Sequence, residues 1–215
     1  MHNATLRSVV LIDFMNSRML PRTDRPQRKA KTRARVLAAA ARILRRNGYS
    51  RLTMERVAAE SGVAKTTLYR RWPTKAALCM DLYLDIAGRE LDPPNTGDLA
   101  RDLGRIFSTV VHLQTRTVAG PALVGLIAEA QVNPATRKAF LAEFADRRRA
   151  VTRTVLQRAI QRGEIRPDTD VDLFIDALGG AVTFRLLQGH APLTTRFANA
   201  LITLLLHGCS RKEPR

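Results

Sequence analysis

Six of the eight residues from Lys65 to Trp72 carry a side-chain hydroxyl or a positive charge: Lys65, Thr66, Thr67, Tyr69, Arg70 and Arg71. The other two, Leu68 and Trp72, are apolar and stand four apart. On a helix that spacing turns Leu68 and Trp72 inward together and sends the donors outward. Such a face breaks no bonds. It matches phosphate oxygens and the acceptor edges of base pairs in a major groove.

Groups that could do covalent chemistry are not gathered in this way. Catalysis needs a nucleophile with a base, paired carboxylates or clustered metal ligands. The four histidines are scattered, no His-x3-His or Cys-x2-Cys spacing occurs, and there is no glycine-rich phosphate loop. The chain is therefore not expected to be an enzyme, to hold a metal or to need a cofactor. Cys79 and Cys209 lie far apart and read as buried, reduced thiols.

The donors need a scaffold. A helix-turn-helix joins two short helices through about three residues, with a small residue at their crossing and glycine in the turn. Residues 53–72 supply each part. Thr53 is a good N-cap, with Glu55 in the first turn where the helix dipole favours an anion. Ala58 is the small residue, and Gly62-Val63-Ala64 is the turn. Ahead of it, a helix is predicted from Gln27 to Asn47, stopped by Gly48, with Arg28, Lys29, Lys31, Arg33 and Arg35 in its first half. After it, Pro73 breaks the chain and Thr74 caps a helix from Lys75 to about Arg89.

Charge points the same way. The 215 residues carry a net +17. Residues 1–75 hold 18 Lys/Arg against 4 Asp/Glu, a net of +14, so the remainder is nearly neutral. The polyanion contact therefore belongs to the first third. Arg outnumbers Lys by 30 to 6, and guanidinium suits phosphate and guanine geometry. No run approaches the ~20 apolar residues of a membrane span. No signal peptide is read, and a cytoplasmic, nucleoid-associated protein without membrane contact is expected.

Residues 1–26 read as a poorly ordered extension, with Met15 and Met19 as alternative starts. Residues 27–90 form the DNA-binding module, and Asp92–Gly97 is a linker. Residues 98–210 then read as helices over Asp98–Thr117, Pro121–Gln131, Asn133–Arg162, Asp170–Gln188 and Pro192–His207. No alternating strand pattern appears, so the fold is all-α, a three-helix DNA-binding module followed by a larger helical domain.

The segment Leu52–Lys75, together with Arg46-Asn47-Gly48-Tyr49, resembles the tetracycline-repressor (TetR) family of bacterial regulators over about residues 30–80. Arg70-Arg71-Trp72 departs from the Tyr or His followed by Phe that many members carry. The resemblance implies a sequence-specific, DNA-binding transcriptional regulator, a repressor released from its operator by a small molecule. The alternative is an architectural protein that binds DNA without sequence preference. By position, Thr53, Tyr69 and Lys75 would meet phosphates. Lys65, Thr66 and Thr67 would lie in or beside the major groove, with Arg70 and Arg71 as further DNA contacts. Arg28, Lys29 and Lys31 would reach backbone or a neighbouring minor groove.

The resemblance further implies a homodimer on a palindromic operator and an unidentified small-molecule effector. Asp170–Gln188 and Pro192–His207 are apolar enough for a four-helix interface, and Gly179-Gly180 allows close approach. The other reading packs both helices inside one chain. Candidate pocket liners are Phe107, Val111, His112, Leu126, Phe140, Phe144 and Phe184, though each is also an ordinary core or structural position. His112 and Gln114 are the polar groups within an apolar stretch.

Overall fold

The structure is a computed structural model that describes residues 24–88 and 92–209. The described residues form helices joined by short loops, with no strand among them. In chain order these are α1 (Asp24–Asn47), a 3₁₀ turn (Tyr49–Arg51), α2 (Met54–Ser61), α3 (Lys65–Arg71) and α4 (Lys75–Ala87). Beyond the linker come α5 (Leu99–Arg116), α6 (Ala119–Val132), α7 (Pro134–Phe140), α8 (Asp146–Arg162), α9 (Val171–Gln188) and α10 (Thr195–Cys209).

Side-chain caps set most of the starts. Thr53, Thr74, Asp98, Asn133 and Asp170 each accept from a backbone N–H three residues on, at 2.8–3.2 Å. Three starts differ from expectation, and proline explains two. Pro26 and Pro121 lie inside first turns, where a missing N–H costs nothing. So α1 begins at Asp24, inside the stretch read as an extension, whose residues 1–23 lie outside the described ones. Likewise α6 begins at Ala119, whose N–H bonds Thr117 Oγ1 at 3.0 Å. Helix α10 starts at Thr195 rather than Pro192, because Thr194 accepts from Phe197 N at 3.1 Å. The long helix expected over 133–162 is continuous but widens into a π turn at Leu141–Ala145.

Two cores hold the chain. The first joins α1–α4 around Val36, Ile43, Leu44, Leu52, Val57 and Leu68, all essentially inaccessible. The second joins α5, α8, α9 and α10 around Leu103, Leu156, Ile165 and Leu178. The linker does not divide them cleanly. Val118 and the α6 residues Ala122 and Leu126 complete the first core, while Leu123 and Ala119 pack with Tyr83 and Leu113 in a third cluster. Helix α6 can face both ways because it is apolar all round and rich in small residues.

Candidate nucleic-acid interface and ligand cavity

The helix-turn-helix is built as its residues require. Ala58, the small residue of α2, is buried in the first core and accepts from Gly62 N at 2.9 Å. Gly62 is left-handed, at φ +64°, which closes α2 without strain. Ser61 Oγ accepts from Val63 N at 3.3 Å, and Ala64 O from Thr67 N and Leu68 N at 3.0 and 3.1 Å. Leu68 and Trp72 are buried, while Lys65, Thr66, Tyr69, Arg70 and Arg71 are exposed and Thr67 is half-buried. The predicted recognition face is thus free to meet a partner.

Asp81 of α4 ties three elements behind that face. It accepts from Arg33 Nε and Nη2 of α1 at 3.0 and 2.8 Å, and from Trp72 Nε1 at 3.1 Å. Asp85 takes Arg33 Nη1 at 2.6 Å. The bond to Asp81 dominates in holding the Arg33 guanidinium well above its ordinary range. Arg35 Nη2 donates to Ser61 O at 2.7 Å and steadies the turn. Two arginines from the basic half of α1, the half-buried Arg33 and the exposed Arg35, therefore act as braces. Arg28, Lys29 and Lys31, nearer the helix start, are exposed.

Other predicted contacts already have local partners. Tyr69 donates its phenol to Glu55 Oε1 at 2.9 Å, and this bond raises the Tyr69 pKa. Glu55 is held low, first by its own backbone N–H and then by Tyr69. Thr53 Oγ1 caps α2 as an acceptor, and its hydroxyl also helps hold Glu55 low. Arg71 stands 5.1 Å from the Trp72 ring centroid. Lys75, expected at a phosphate, is half-buried with Nζ 4.5 Å from the Tyr49 ring centroid, a cation–π seat beside the α4 start.

Tyr49 marks the seam between the module and α6. Its hydroxyl donates to Glu129 Oε2 at 2.6 Å, and its ring lies flat against Gly125. Burial, then the Glu129 bond, pushes the phenol far above its usual range. Beneath it, burial raises the Cys79 thiol to about 12, so this cysteine is a packing group.

A cavity of about 780 Å³ lies among α5–α9. Of the predicted liners, Phe107, Phe140 and Phe144 face it. Val111 and Leu126 are buried in the second and first cores and are not among the lining residues. His112 is on the surface. Phe184, next to the lining residue Thr183, is not itself in the cavity wall; it is 58% exposed with its ring 5.2 Å from His190. The π turn contributes Phe144 and Ala145 to the lining, as such widened turns often do at binding sites.

Sequence reasoning missed Arg148, a half-buried cation of the cavity wall that has no carboxylate partner among the described residues. Its Cζ is 5.1 and 4.9 Å from the Tyr83 and Phe144 ring centroids. Its position four residues after Phe144 and eight after Phe140 put it on that stripe. Burial lowers its pKa. Arg148 Nη2 and Gln114 Oε1 are both shut off from solvent without a hydrogen-bond partner.

The outer faces of α9 and α10 are apolar and uncovered, with Leu173, Phe184 and Leu204 at 65, 58 and 68% exposure. A β-carbon at Gly179 or Gly180 would meet nothing within 4 Å. Phe174, Leu178 and Val182, on the opposite side of α9, are buried in this chain's own second core. No described helix is long and apolar enough to cross a membrane, and no group of metal-ligating residues occurs among the described ones.

Comparison with known proteins gives consistent matches. The sequence profile described as "Bacterial regulatory proteins, tetR family" matches residues 36–81. The profile "Tetracyclin repressor-like, C-terminal domain" matches residues 93–205. An uncharacterized HTH-type transcriptional regulator of Mycobacterium tuberculosis is 34% identical over 170 residues, covering 78% of this chain and 82% of its own. The DNA-binding transcriptional repressor TetR of Mycobacteroides abscessus is 33% identical over 173 residues, covering 79% and 88%. The crystal structure of a TetR family transcription regulator is 41% identical, with TM-score 0.68 over 84% of this chain and all of that one.

Proposed function

Because the chain belongs to the TetR family of bacterial transcriptional regulators, we propose that it acts as a homodimeric repressor on a palindromic operator and leaves it when a small molecule fills the α5–α9 cavity. It is a DNA-binding transcriptional regulator. One observation carries the reading: α3 buries Leu68 alone and presents Lys65, Thr66, Tyr69, Arg70 and Arg71 outward on a braced support. In a groove, Lys65, Thr66 and Thr67 at its N-terminal end would meet base edges. Thr53 and Tyr69 would reach flanking phosphates, and Arg28, Lys29 and Lys31 the backbone beyond. Two such helices must lie about 34 Å apart to reach successive turns of one groove face. The uncovered apolar faces of α9 and α10 supply a surface for the two-fold contact.

Release would run through α6. Its Leu123 and Ile127 line the cavity, while Gly125 and Glu129 hold Tyr49. A rigid helix cannot shift one face and leave the other in place. A ligand that displaced α6 would thereby move the module and spoil the spacing of the paired α3 helices. The protein so described works in the cytoplasm and needs no cofactor beyond the effector.

The test is competition for the full-length protein between a selected palindromic duplex and random duplex at physiological salt. The palindrome should win by at least ~10³. Equal competition refutes the reading. With the selected site, Tyr69→Phe should cost roughly three- to tenfold in affinity, the worth of one hydrogen bond, and leave the thermal midpoint unchanged.

A further inference from the structure

We propose that the cavity takes an amphipathic organic acid, its carboxylate or comparable monoanion held by Arg148 and a hydroxyl or N–H on the same molecule donated to Gln114 Oε1. The proposal rests on the reading of this cavity as the effector site and adds the chemical class of the ligand.

Four observations carry it. First, the space is about 780 Å³, the size of a small-molecule site, and its walls are chiefly apolar, with Phe107, Leu123, Ile127 and Phe144 among them. Second, Arg148 lies in that wall with Nη2 enclosed and unbonded, which a folded chain tolerates only at a cost unless a partner arrives. Third, the guanidinium carbon stands 5.1 and 4.9 Å from the centroids of the Tyr83 and Phe144 rings, which meet edge to face, so two aromatic contacts hold the charge at the cavity wall. A guanidinium in that wall offers the paired N–H donors that suit the two parallel N–H···O bonds of a carboxylate. Fourth, Gln114 Oε1 is the complementary vacancy, an enclosed acceptor that needs a donor.

The charges around the cavity favour an anion over a cation or a neutral ligand. Arg105, Arg148 and Arg149 line it against Asp92 and Asp176, and Asp176 is already paired to Arg149. A quaternary ammonium would enter beside an unpaired guanidinium. A neutral hydrocarbon would fill the volume and leave both polar vacancies unmet.

The experiment uses full-length protein without DNA and titration calorimetry with matched probes. Decanoate is compared with decanamide and decyltrimethylammonium, and 1-naphthylacetate with 1-naphthylacetamide. Each acid is expected to bind roughly 10–100-fold more tightly than its amide, the range for a charge-assisted hydrogen bond in an enclosed site. The ammonium should bind least. In Arg148→Met the acid should fall to the level of the amide while the amide is retained, and Arg148→Lys should keep part of the preference. The wild-type comparison stands even if either variant fails to fold. Equal binding of acid, amide and ammonium, or no binding by either acid, overturns the proposal. Operator release is measured separately. An acid that binds selectively yet leaves the DNA complex intact supports the ligand class and counts against the release mechanism.

Discussion

Gly125→Ala should destabilise this protein, although alanine is the better helix former. A β-carbon at position 125 would stand 2.5 Å from Tyr49 Cδ1 and closer still to Cγ and Cδ2, where ordinary contact begins near 3.4 Å. The ring would have to retreat by roughly an ångström. It is moored at both ends, by its hydroxyl to Glu129 at 2.6 Å and by Lys75 at 4.5 Å from its centroid. Overpacking of this kind costs about 1–3 kcal/mol, and a strained charge-assisted hydrogen bond about 1.5 more. The gain in helix propensity returns about 1 kcal/mol. A net loss of about 2 kcal/mol should lower the thermal midpoint by about 4–8 °C in a chain of this size. Circular dichroism would follow it. The decisive comparison repeats Gly125→Ala in a Tyr49→Ala background, where the clash is gone and propensity alone remains, so the change should become neutral or stabilising. An equal loss in both backgrounds would show that the ring is not what Gly125 accommodates.

Asp81→Ala should cost about 2–3 kcal/mol in urea unfolding, because it leaves the Trp72 indole without its acceptor and the half-buried Arg33 guanidinium with Asp85 alone. Trp72 fluorescence should shift in the folded state, and an unchanged spectrum would argue that Asp81 does not hold the ring. Cys79 gives a pH dependence. Its folded pKa is about 12, above the unfolded value near ~8.5, so the folded state keeps the proton longer. Its stabilisation is whole below the unfolded pKa and is lost as pH rises toward the folded one, by up to about 1.4 kcal/mol per unit. The stability of wild type should therefore fall more steeply between pH 9 and 10.5 than that of Cys79→Ala, and parallel slopes would refute the assignment.

The recognition helix was legible because its determinants are local. Thr53, Gly62, Thr74 and the Leu68/Trp72 pair act within a few residues of themselves, and each performs the role its type and spacing imply. The braces were not legible. Arg33 looks like its exposed neighbours Arg28 and Lys29, and only the return of α4 across 48 residues supplies Asp81. Cavity lining was half legible. Phe140, Phe144 and Phe107 are large and apolar, but periodicity cannot tell a cavity wall from a filled core, so Val111 and Leu126 looked the same. A run such as Arg147-Arg148-Arg149 is ordinarily solvated, and packing alone separates its middle member from the others. The π turn has no sequence signal that the helical pattern would reveal.

The sharing of α6 bears on how such regulators can be recombined. A graft that joins this DNA-reading segment to another sensor at residues 92–97 would leave behind Val118, Ala122 and Leu126, three buried side chains that finish its interior. The severed piece would present their empty seats on α1 and α4 to water, and Tyr49 would lose both its acceptor and its floor. A working exchange has to carry α6 across with the reader, so the functional joint of the molecule lies on the far side of that helix rather than at the loop where the chain looks easiest to cut.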